Sequence, residues 1–427
     1  FIQFYTGISV PTPVQRSVIP RILSGENLVM AASTGSGKTL AYTLPCLQQM
    51  HIEEKNGYIR RVKRPRCLIL VPTRELAQQV LDCVKKVGHY SKVSSTGVMG
   101  GEQFGPQKKA LDRLVDVVVA SPGRLMEHKK QGNVFLSQVT HVIIDEVDTM
   151  LTQGFGSDIR AILLPSVQRK SLKEAATEKE RKSAQLVMAT ATLTKAVRAL
   201  LTDVQGDSKN PTPRLPRGSD QRVQMSVVEV DGVHRSLPNV AHVMEDVKGG
   251  ADKLAVLRDV LERHHSKSQR TLIFCNTVAS CRAVEYAINQ DALLAGGGFS
   301  GPGQDPAIQT ISYHGDLHSD LRQQNLEKFR NGDAQYMVCS DIAARGLDIP
   351  ETGHVVMFDF PLNPIDYLHR AGRCGRAGRK GLVTALVAKR DVVLAGAIEE
   401  AIRKGLPLDA LTSDKKDYTV SDILYSA

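Results

Sequence analysis

Two α/β domains, each a mostly parallel sheet covered by helices on both faces, are predicted by three observations. The chain has 427 residues, enough for two domains that each bury a core. Short apolar runs recur at 28–31, 67–71, 115–120, 142–144, 186–189, 271–275, 336–340, 355–358 and 383–388, with helical patterns between them. Runs that are apolar throughout suit strands buried on both sides, and alternation with helices gives parallel sheets. Finally, residues able to do chemistry cluster just after many of these runs. Those are the C-terminal ends of strands, where open α/β sheets bind ligands.

The first domain is assigned to residues 1–231, a linker to 232–239, the second domain to 240–411 and a polar tail to 412–427. A further strand is expected at 223–230, just before the linker. Three stretches read as insertions on this scaffold: a charged, helix-prone segment at 168–183, a Pro-, Gly- and Asp-rich segment at 203–220, and a glycine-rich loop at 296–304.

Composition bounds the function. The 55 basic residues against 45 acidic ones leave a formal charge of +10, which suits a polyanionic partner or simply a soluble basic surface. Seven cysteines contain no Cys-x-x-Cys pair, which argues for buried thiols in a reducing intracellular compartment and against a zinc module or disulfide framework. No apolar run approaches a membrane span, so no membrane partner is expected. Residue 1 is Phe, from which a preceding segment, and any targeting peptide within it, is expected to lie outside this sequence.

The most informative stretch is Ala32-Ser33-Thr34-Gly35-Ser36-Gly37-Lys38-Thr39, between an apolar strand and a helical pattern. Backbone N–H groups of such a turn and the positive end of the helix face phosphates. Lys38 reaches the β and γ oxygens, and the Thr39 hydroxyl can ligate Mg²⁺. Ala32 stands where the strict pattern has Gly. In Val142-Ile143-Ile144-Asp145-Glu146-Val147-Asp148 a buried strand delivers carboxylates at its end. There Asp145 can hold the same Mg²⁺ through water, and Glu146 can orient and deprotonate an attacking water. Either motif alone has a plainer reading, as a glycine turn or as an acidic helix cap; together they form a nucleoside triphosphate site.

With these residues the sequence resembles the DEAD-box RNA helicases of superfamily 2 over nearly its whole length, with the motifs in the family's order. The resemblance implies two RecA-like domains, ATP and Mg²⁺ as cofactors, RNA held through its backbone, and a monomeric helicase core. Gly7-Ile8-Ser9-Val10-Pro11-Thr12-Pro13-Val14-Gln15 looks like the segment whose Gln, here Gln15, bonds the adenine edge. Ile8 replaces the usual Phe, and Pro-Thr-Pro-x-Gln by itself reads as a turn and helix N-cap. Pro72-Thr73-Arg74, Gly100-Gly101 and Ser121-Pro122-Gly123-Arg124 match the first domain's RNA-contacting motifs. Their N–H groups, hydroxyls and guanidinium groups grip phosphates rather than read bases. Thr190-Ala191-Thr192 corresponds to the family's Ser-Ala-Thr, which links the ATP site to strand separation, in part through Asp148.

In the second domain Asn276 and Thr277 follow a strand in the manner of the family's next RNA motif, and His314-Gly315-Asp316 with Arg322 matches the one after it. Ser319 stands where that motif has Gln. The run from Ser340 to Asp348 resembles a segment that contacts RNA, with Ser340 for Thr, and Gly346 and Asp348 are assigned to the nucleotide. His369-Arg370-Ala371-Gly372-Arg373-Cys374-Gly375-Arg376 resembles the last motif. Arg373 and Arg376 are expected to act as arginine fingers and His369 as a coupling residue. Because these arginines belong to the other domain from Lys38, hydrolysis is expected to require domain closure.

The process is expected to be ribonucleoprotein or ribosome assembly, within a larger or pre-ribosomal particle. The text after Asp148 and the insertions resemble organellar members of the family, mitochondrial ones included. Two rivals stand beside this reading: a non-catalytic RNA-clamping assembly factor on the same fold, and a motor acting on DNA or protein.

Overall fold

The computed structural model describes residues 10–33, 35–167, 183–205, 223–230, 239–248, 252–264, 269–294, 310–341, 349, 352–375, 379–408 and 411. The expected tail, all of the expected linker but Asn239, and nearly all of the three expected insertions lie outside the described residues. Asp203 does not begin an insertion: it sits in the helix Lys195–Gln205 and its carboxylate pairs with Arg160 at 2.8 Å. The chain divides into two compact units, Phe1–Val233 and His234–Ala427.

Among the described residues the first unit contains a seven-stranded sheet. Its strands are β1 (Leu28–Ala31), β2 (Cys67–Leu70), β3 (Ser95–Val98), β4 (Val117–Ala120), β5 (His141–Ile144), β6 (Gln185–Thr190) and β7 (Ser226–Glu229). They lie in the order β3-β4-β2-β5-β6-β1-β7, and every pair is parallel. Successive side chains of each strand go to opposite cores, because the strand period is two. Ala31, Leu70, Ala120 and Ile144 pack with the helices Pro122–Lys130, Gly156–Val167 and Lys195–Gln205. Met30, Ile69, Val119 and Ile143 pack with the helices Pro13–Leu23, Lys38–Lys55 and Arg74–Ser91. Burying a Val, Leu or Ile side chain is worth about 1.5–3 kcal/mol, so a register slip that exchanged the faces would be prohibitive.

The second unit repeats the plan with six strands: β8 (Val240–Asp246), β9 (Thr271–Phe274), β10 (Thr310–Tyr313), β11 (Tyr336–Cys339), β12 (His354–Met357) and β13 (Gly381–Val387). They run β10-β11-β9-β12-β13-β8, again all parallel. Phe274, Cys339 and Met357 face one core, with helices Ser319–Asn331, Pro364–Ala371 and Val392–Arg403. Ile273, Val338 and Val356 face the other, with Lys253–Arg263 and Val278–Leu294. Six of the seven cysteines are buried and all are free thiols. No helix among the described residues is long and apolar enough to cross a membrane.

Three strands carry a shielded histidine, buried at His141 and His354 and half-buried at His242. His141, His242 and His354 sit on β5, β8 and β12, and burial pushes each pKa down to about 4 from the ordinary 6.5, Arg66 adding to the effect at His141 and His264 at His354. Each neutral ring is hydrogen-bonded: His242 Nδ1 with Tyr367 Oη at 2.7 Å and His354 Nε2 with Thr384 Oγ1 at 2.9 Å, and His141 with Thr140 and Gln49. The unfolded chain takes up these protons near pH 6.5 while the folded chain resists until about 4, so stability from these groups is full above 6.5 and falls as pH drops through that window. Urea unfolding followed at pH 7.5 and pH 5 should therefore give a lower midpoint at pH 5; equal midpoints would contradict the neutral-histidine arrangement.

Candidate active site

The phosphate loop is built by backbone conformations that only glycine adopts cheaply. Gly35 has φ 78° and Gly37 φ 90°, and Gly37 is the N-cap of the helix Lys38–Lys55. An added Cβ on Gly37 would also lie 2.6 Å from Gln15 Nε2. No side chain caps this helix, so its first N–H groups face outward as an anion site requires. Lys38 Nζ folds back and donates to the carbonyls of Ala32 at 2.8 Å and Ser33 at 3.0 Å. The buried Ser36 hydroxyl has no hydrogen-bond partner. An uncapped helix start, a lysine over the loop and an orphan hydroxyl fit a polyphosphate. Thr34 lies outside the described residues.

Gln15 is buried against this loop. Its Nε2 donates to Gly37 O at 3.2 Å, its Oε1 accepts from Thr12 N at 3.0 Å, and Thr12 Oγ1 accepts from Gln15 N. The segment is thus a helix capping box, as its plain sequence reading expects, and it also docks the glutamine on the loop. Its carboxamide keeps one N–H and acceptor capacity for a ligand. Ile8 lies outside the described residues.

β5 and β6 deliver the polar strand ends beside β1. Asp145 and Glu146 are buried, and Glu146 is held at φ 52°, a left-handed conformation that non-glycine residues adopt rarely and mostly at functional positions. Asp145 Oδ1 accepts from Glu146 N at 3.0 Å, and Oδ2 accepts from the Tyr42 hydroxyl at 2.8 Å. Burial raises the Asp145 pKa, opposed by the Lys38 ammonium and these donors. The carboxylate accepts one donor on each oxygen and has room for further acceptance, so Thr39 and Asp145 fit a hydrated Mg²⁺. Val147 is wholly buried in the apolar core, which explains an uncharged residue between the acids. Thr192 Oγ1 donates to Asp148 Oδ2 at 2.6 Å, while Thr190 Oγ1 donates to Thr192 O at 2.7 Å and accepts from Thr192 N.

The first unit's motifs expected to grip phosphates meet at the ends of β2, β4 and β3, which are adjacent in the sheet. Pro72 follows β2, and Thr73 caps the next helix by accepting from Leu76 N. Gly101, at φ 78°, lies against the Arg74 guanidinium, which pairs with Glu75. Gly100 N donates to Ser121 Oγ at 3.1 Å. Pro122 and Gly123 open the following helix, from which Arg124 donates to Glu102 O. Sequence spacing missed the brace beneath them: Gln107 Nε2 donates to Met99 O at 2.8 Å, while His128 bonds Gln107 and Asn133.

In the second unit Asn276, Ser340 and the last motif meet at the ends of β9, β11 and β12. Arg370, only 1% exposed, donates from Nε to Asp341 Oδ1 at 2.7 Å and from a terminal nitrogen to Asp341 Oδ2 at 3.0 Å. It also donates to Asn276 Oδ1 at 2.6 Å and Asp359 O at 2.7 Å. Asp359 accepts from Lys253 Nζ at 2.7 Å and Asn276 N at 3.0 Å. Burial alone would raise the Asp359 pKa, but these donors bring it net below the ordinary carboxylate range. Buried Arg373 is fixed by its backbone, its carbonyl accepting from Thr352 Oγ1 at 2.8 Å, and buried His369 accepts at its carbonyl from Arg373 Nε. Thr277 caps the helix after β9. Gly315 lies on the turn after β10, where an added Cβ would meet nothing, and Arg322 is buried on the next helix. Ser319 starts that helix and donates to Asp320. Gly346, Asp348 and Arg376 lie outside the described residues.

Two parallel-sheet units, one with a phosphate loop facing buried strand-end carboxylates, define a nucleotide-dependent motor class. A family model described as DEAD/DEAH box helicase matches residues 12–200, and one described as helicase conserved C-terminal domain matches 252–378. DEAD-box ATP-dependent RNA helicase 39 of Arabidopsis thaliana is 38% identical over 411 residues, covering 95% of this chain and 60% of that protein. ATP-dependent RNA helicase dbp3 of Neosartorya fischeri is 34% identical over 401 residues, 93% of this chain and 71% of that protein. The chain belongs to the DEAD-box ATP-dependent RNA helicase family. It spans about 60% of the length of relatives such as helicase 39. Among solved structures, Mss116p (NTE and C-tail double deletion) bound to ssRNA and AMP-PNP has TM-score 0.73 at 23% identity over 93% of this chain and 73% of that one. S. cerevisiae Dbp5 bound to RNA and ADP BeF3 has TM-score 0.69 at 23% identity over 97% of this chain and 93% of that one. At that identity the likeness establishes the fold, two RecA-like units.

The Arg370 hub generates a stability test. Lysine cannot reproduce the planar fork on Asp341 together with the bonds to Asn276 and Asp359. Arg370→Lys should lower the stability of the second unit by about 3 kcal/mol, seen as a lower melting temperature; unchanged melting would contradict the hub.

Proposed function

We propose that the chain is an RNA-stimulated ATPase that clamps RNA through its backbone and separates short duplexes locally. The observation that carries this reading is the convergence of the phosphate loop after β1 and buried Asp145 and Glu146 after β5 on either side of β6, with the helix of the loop bonded to Asp145 through Tyr42 and Asp148 bonded to Thr192. The uncapped helix start and loop N–H groups bind the phosphates, and Lys38 exchanges its two carbonyl partners for phosphate oxygens. Gln15 offers its remaining N–H and acceptor sites to the adenine edge. Thr39, and Asp145 through water, would hold Mg²⁺, which would neutralise phosphate charge when bound. Glu146 accepts the proton as the water oxygen attacks the γ-phosphorus and ADP leaves with the bridging oxygen. Arg373 and Arg376, carried by the second unit, neutralise charge on the transferred group, so hydrolysis waits on the two units meeting.

RNA is gripped by the turns at Thr73–Arg74, Gly100–Gly101 and Ser121–Arg124 and, in the second unit, by Asn276, Thr277, Gly315, Arg322 and Ser340. Gly315 supports this: its turn does not sterically need glycine, and close approach of a ligand backbone supplies a reason for it. Asp148, Thr190, Thr192 and His369 relay one ligand's presence toward the other's site. The biological setting we infer is assembly of a ribonucleoprotein or ribosomal particle, in an organelle such as the mitochondrion, with the core acting as a monomer.

Steady-state ATP hydrolysis with and without single-stranded RNA tests the reading; RNA-stimulated turnover is expected. Glu146→Gln should bind ATP and RNA yet hydrolyse at least about 10²-fold more slowly, and near wild-type turnover would remove Glu146 from the mechanism. Arg373→Ala should cost about 10³-fold in kcat with a smaller change in ATP affinity; equal losses would make it a ground-state binding residue. ATP-dependent RNA binding without any turnover would favour the non-catalytic clamp.

A further inference from the structure

Tyr42 belongs to none of the motif positions considered above. It lies on the helix Lys38–Lys55, three and four residues after Thr39 and Lys38, which places it one turn along the same face. Its ring is wholly buried in the core beside Ala41 and Cys46. Phenylalanine would fill that space equally well, and a buried hydroxyl costs free energy unless it is bonded. This one is bonded to Asp145 Oδ2 at 2.8 Å, with Thr39 also beside it.

The bond joins the two halves of the nucleotide site. Asp145 Oδ1 is held by its own strand end, through Glu146 N at 3.0 Å; Oδ2 is held by the helix that begins with Lys38 and Thr39. One donor on each oxygen fixes the plane of the carboxylate. Two acceptor sites remain, and donors elsewhere around a metal-serving carboxylate commonly set its orientation.

Resting on the nucleotide reading above, we propose that Tyr42 is a positioning residue for Mg²⁺: its hydroxyl ties Asp145, 103 residues away in sequence, to the Lys38 and Thr39 helix and keeps the carboxylate's remaining acceptor sites in place for the ion and its waters. The residue touches neither nucleotide nor metal and acts through Asp145. It is therefore dispensable for nucleotide binding without the ion and needed for the part that the ion contributes.

The experiment is titration of a fluorescent ADP analogue into the wild-type chain and Tyr42→Phe, in EDTA and across a series of Mg²⁺ concentrations. In EDTA the two proteins should bind equally. With Mg²⁺, Tyr42→Phe should need roughly tenfold more ion for half of the tightening, and on an Asp145→Asn background the same substitution should add nothing. An unchanged Mg²⁺ curve, a lower Mg²⁺ requirement, or an equal loss in EDTA would overturn the proposal. The last would make Tyr42 a packing residue, and a lower requirement would make its hydroxyl a competitor of the ion. A wild-type chain that binds the analogue without any Mg²⁺ dependence would overturn this inference alone, and one that does not bind it at all would overturn the nucleotide reading as well.

Discussion

Parallel pairing of β1 with β6 and of β6 with β5 sets Ala31 against Thr190 and Ile144 against Met188, so these three strands finish almost flush. Apart from Gln15, which comes from the helix before β1, the first unit's polar groups leave the sheet from that edge: the loop toward Lys38 from β1, Asp145 to Asp148 from β5, and Thr190 to Thr192 from β6. The register is held by apolar faces on both sides, each residue committed to one of two cores. A shift of one residue would send each side chain to the opposite core and carry the carboxylates out of line with the loop. The short bond from Thr192 to Asp148 and the bond from Tyr42 to Asp145 are consequences of that register, since neither pair is near in sequence.

The second unit solves a similar problem differently. Its strand ends gather around one buried guanidinium. Arg370 binds Asp341, Asn276 and the Asp359 carbonyl, while Lys253 answers the Asp359 carboxylate. A buried arginine is tolerated because its donors find fixed acceptors, and the same donors then fix three loops with respect to one another. Arg373 follows just past the end of the helix that carries Arg370, so the hub also fixes where Arg373 starts.

What the sequence made legible follows from how a signal is written along a chain. Strands buried on both faces appear as apolar runs, and all of those runs became strands. The strands it did not disclose, β3, β8 and β10, are all sheet edges. In β3 only Val98 is buried, and β8 is half-exposed throughout, so neither has an apolar run to display. β10 is buried but alternates Thr310 and Ser312 with Ile311 and Tyr313, and Ser312 is satisfied by Glu285. Site residues in contiguous motifs, such as Gly35 to Thr39 or Ser121 to Arg124, were legible because a turn needs neighbouring residues. Tyr42, Lys253, Asp359 and the part played by Arg370 were not, because each reads locally as a core or surface position, and the pairs Arg370 with Asn276, Tyr42 with Asp145 and Lys253 with Asp359 are separated by 94 to 106 residues.

We propose reciprocal coupling between nucleotide and RNA, because Asp145, the Asp148–Thr192 bond and the turns after β2, β3 and β4 leave one edge of one sheet. If two ligands favour one state of the protein, each must tighten the other by the same factor. The direct measurement is a closed thermodynamic cycle: affinity for a non-hydrolysable ATP analogue with and without saturating single-stranded RNA, and affinity for that RNA with and without the analogue. Equal factors above about fivefold are expected on both arms. Affinities that do not respond to the other ligand would contradict it.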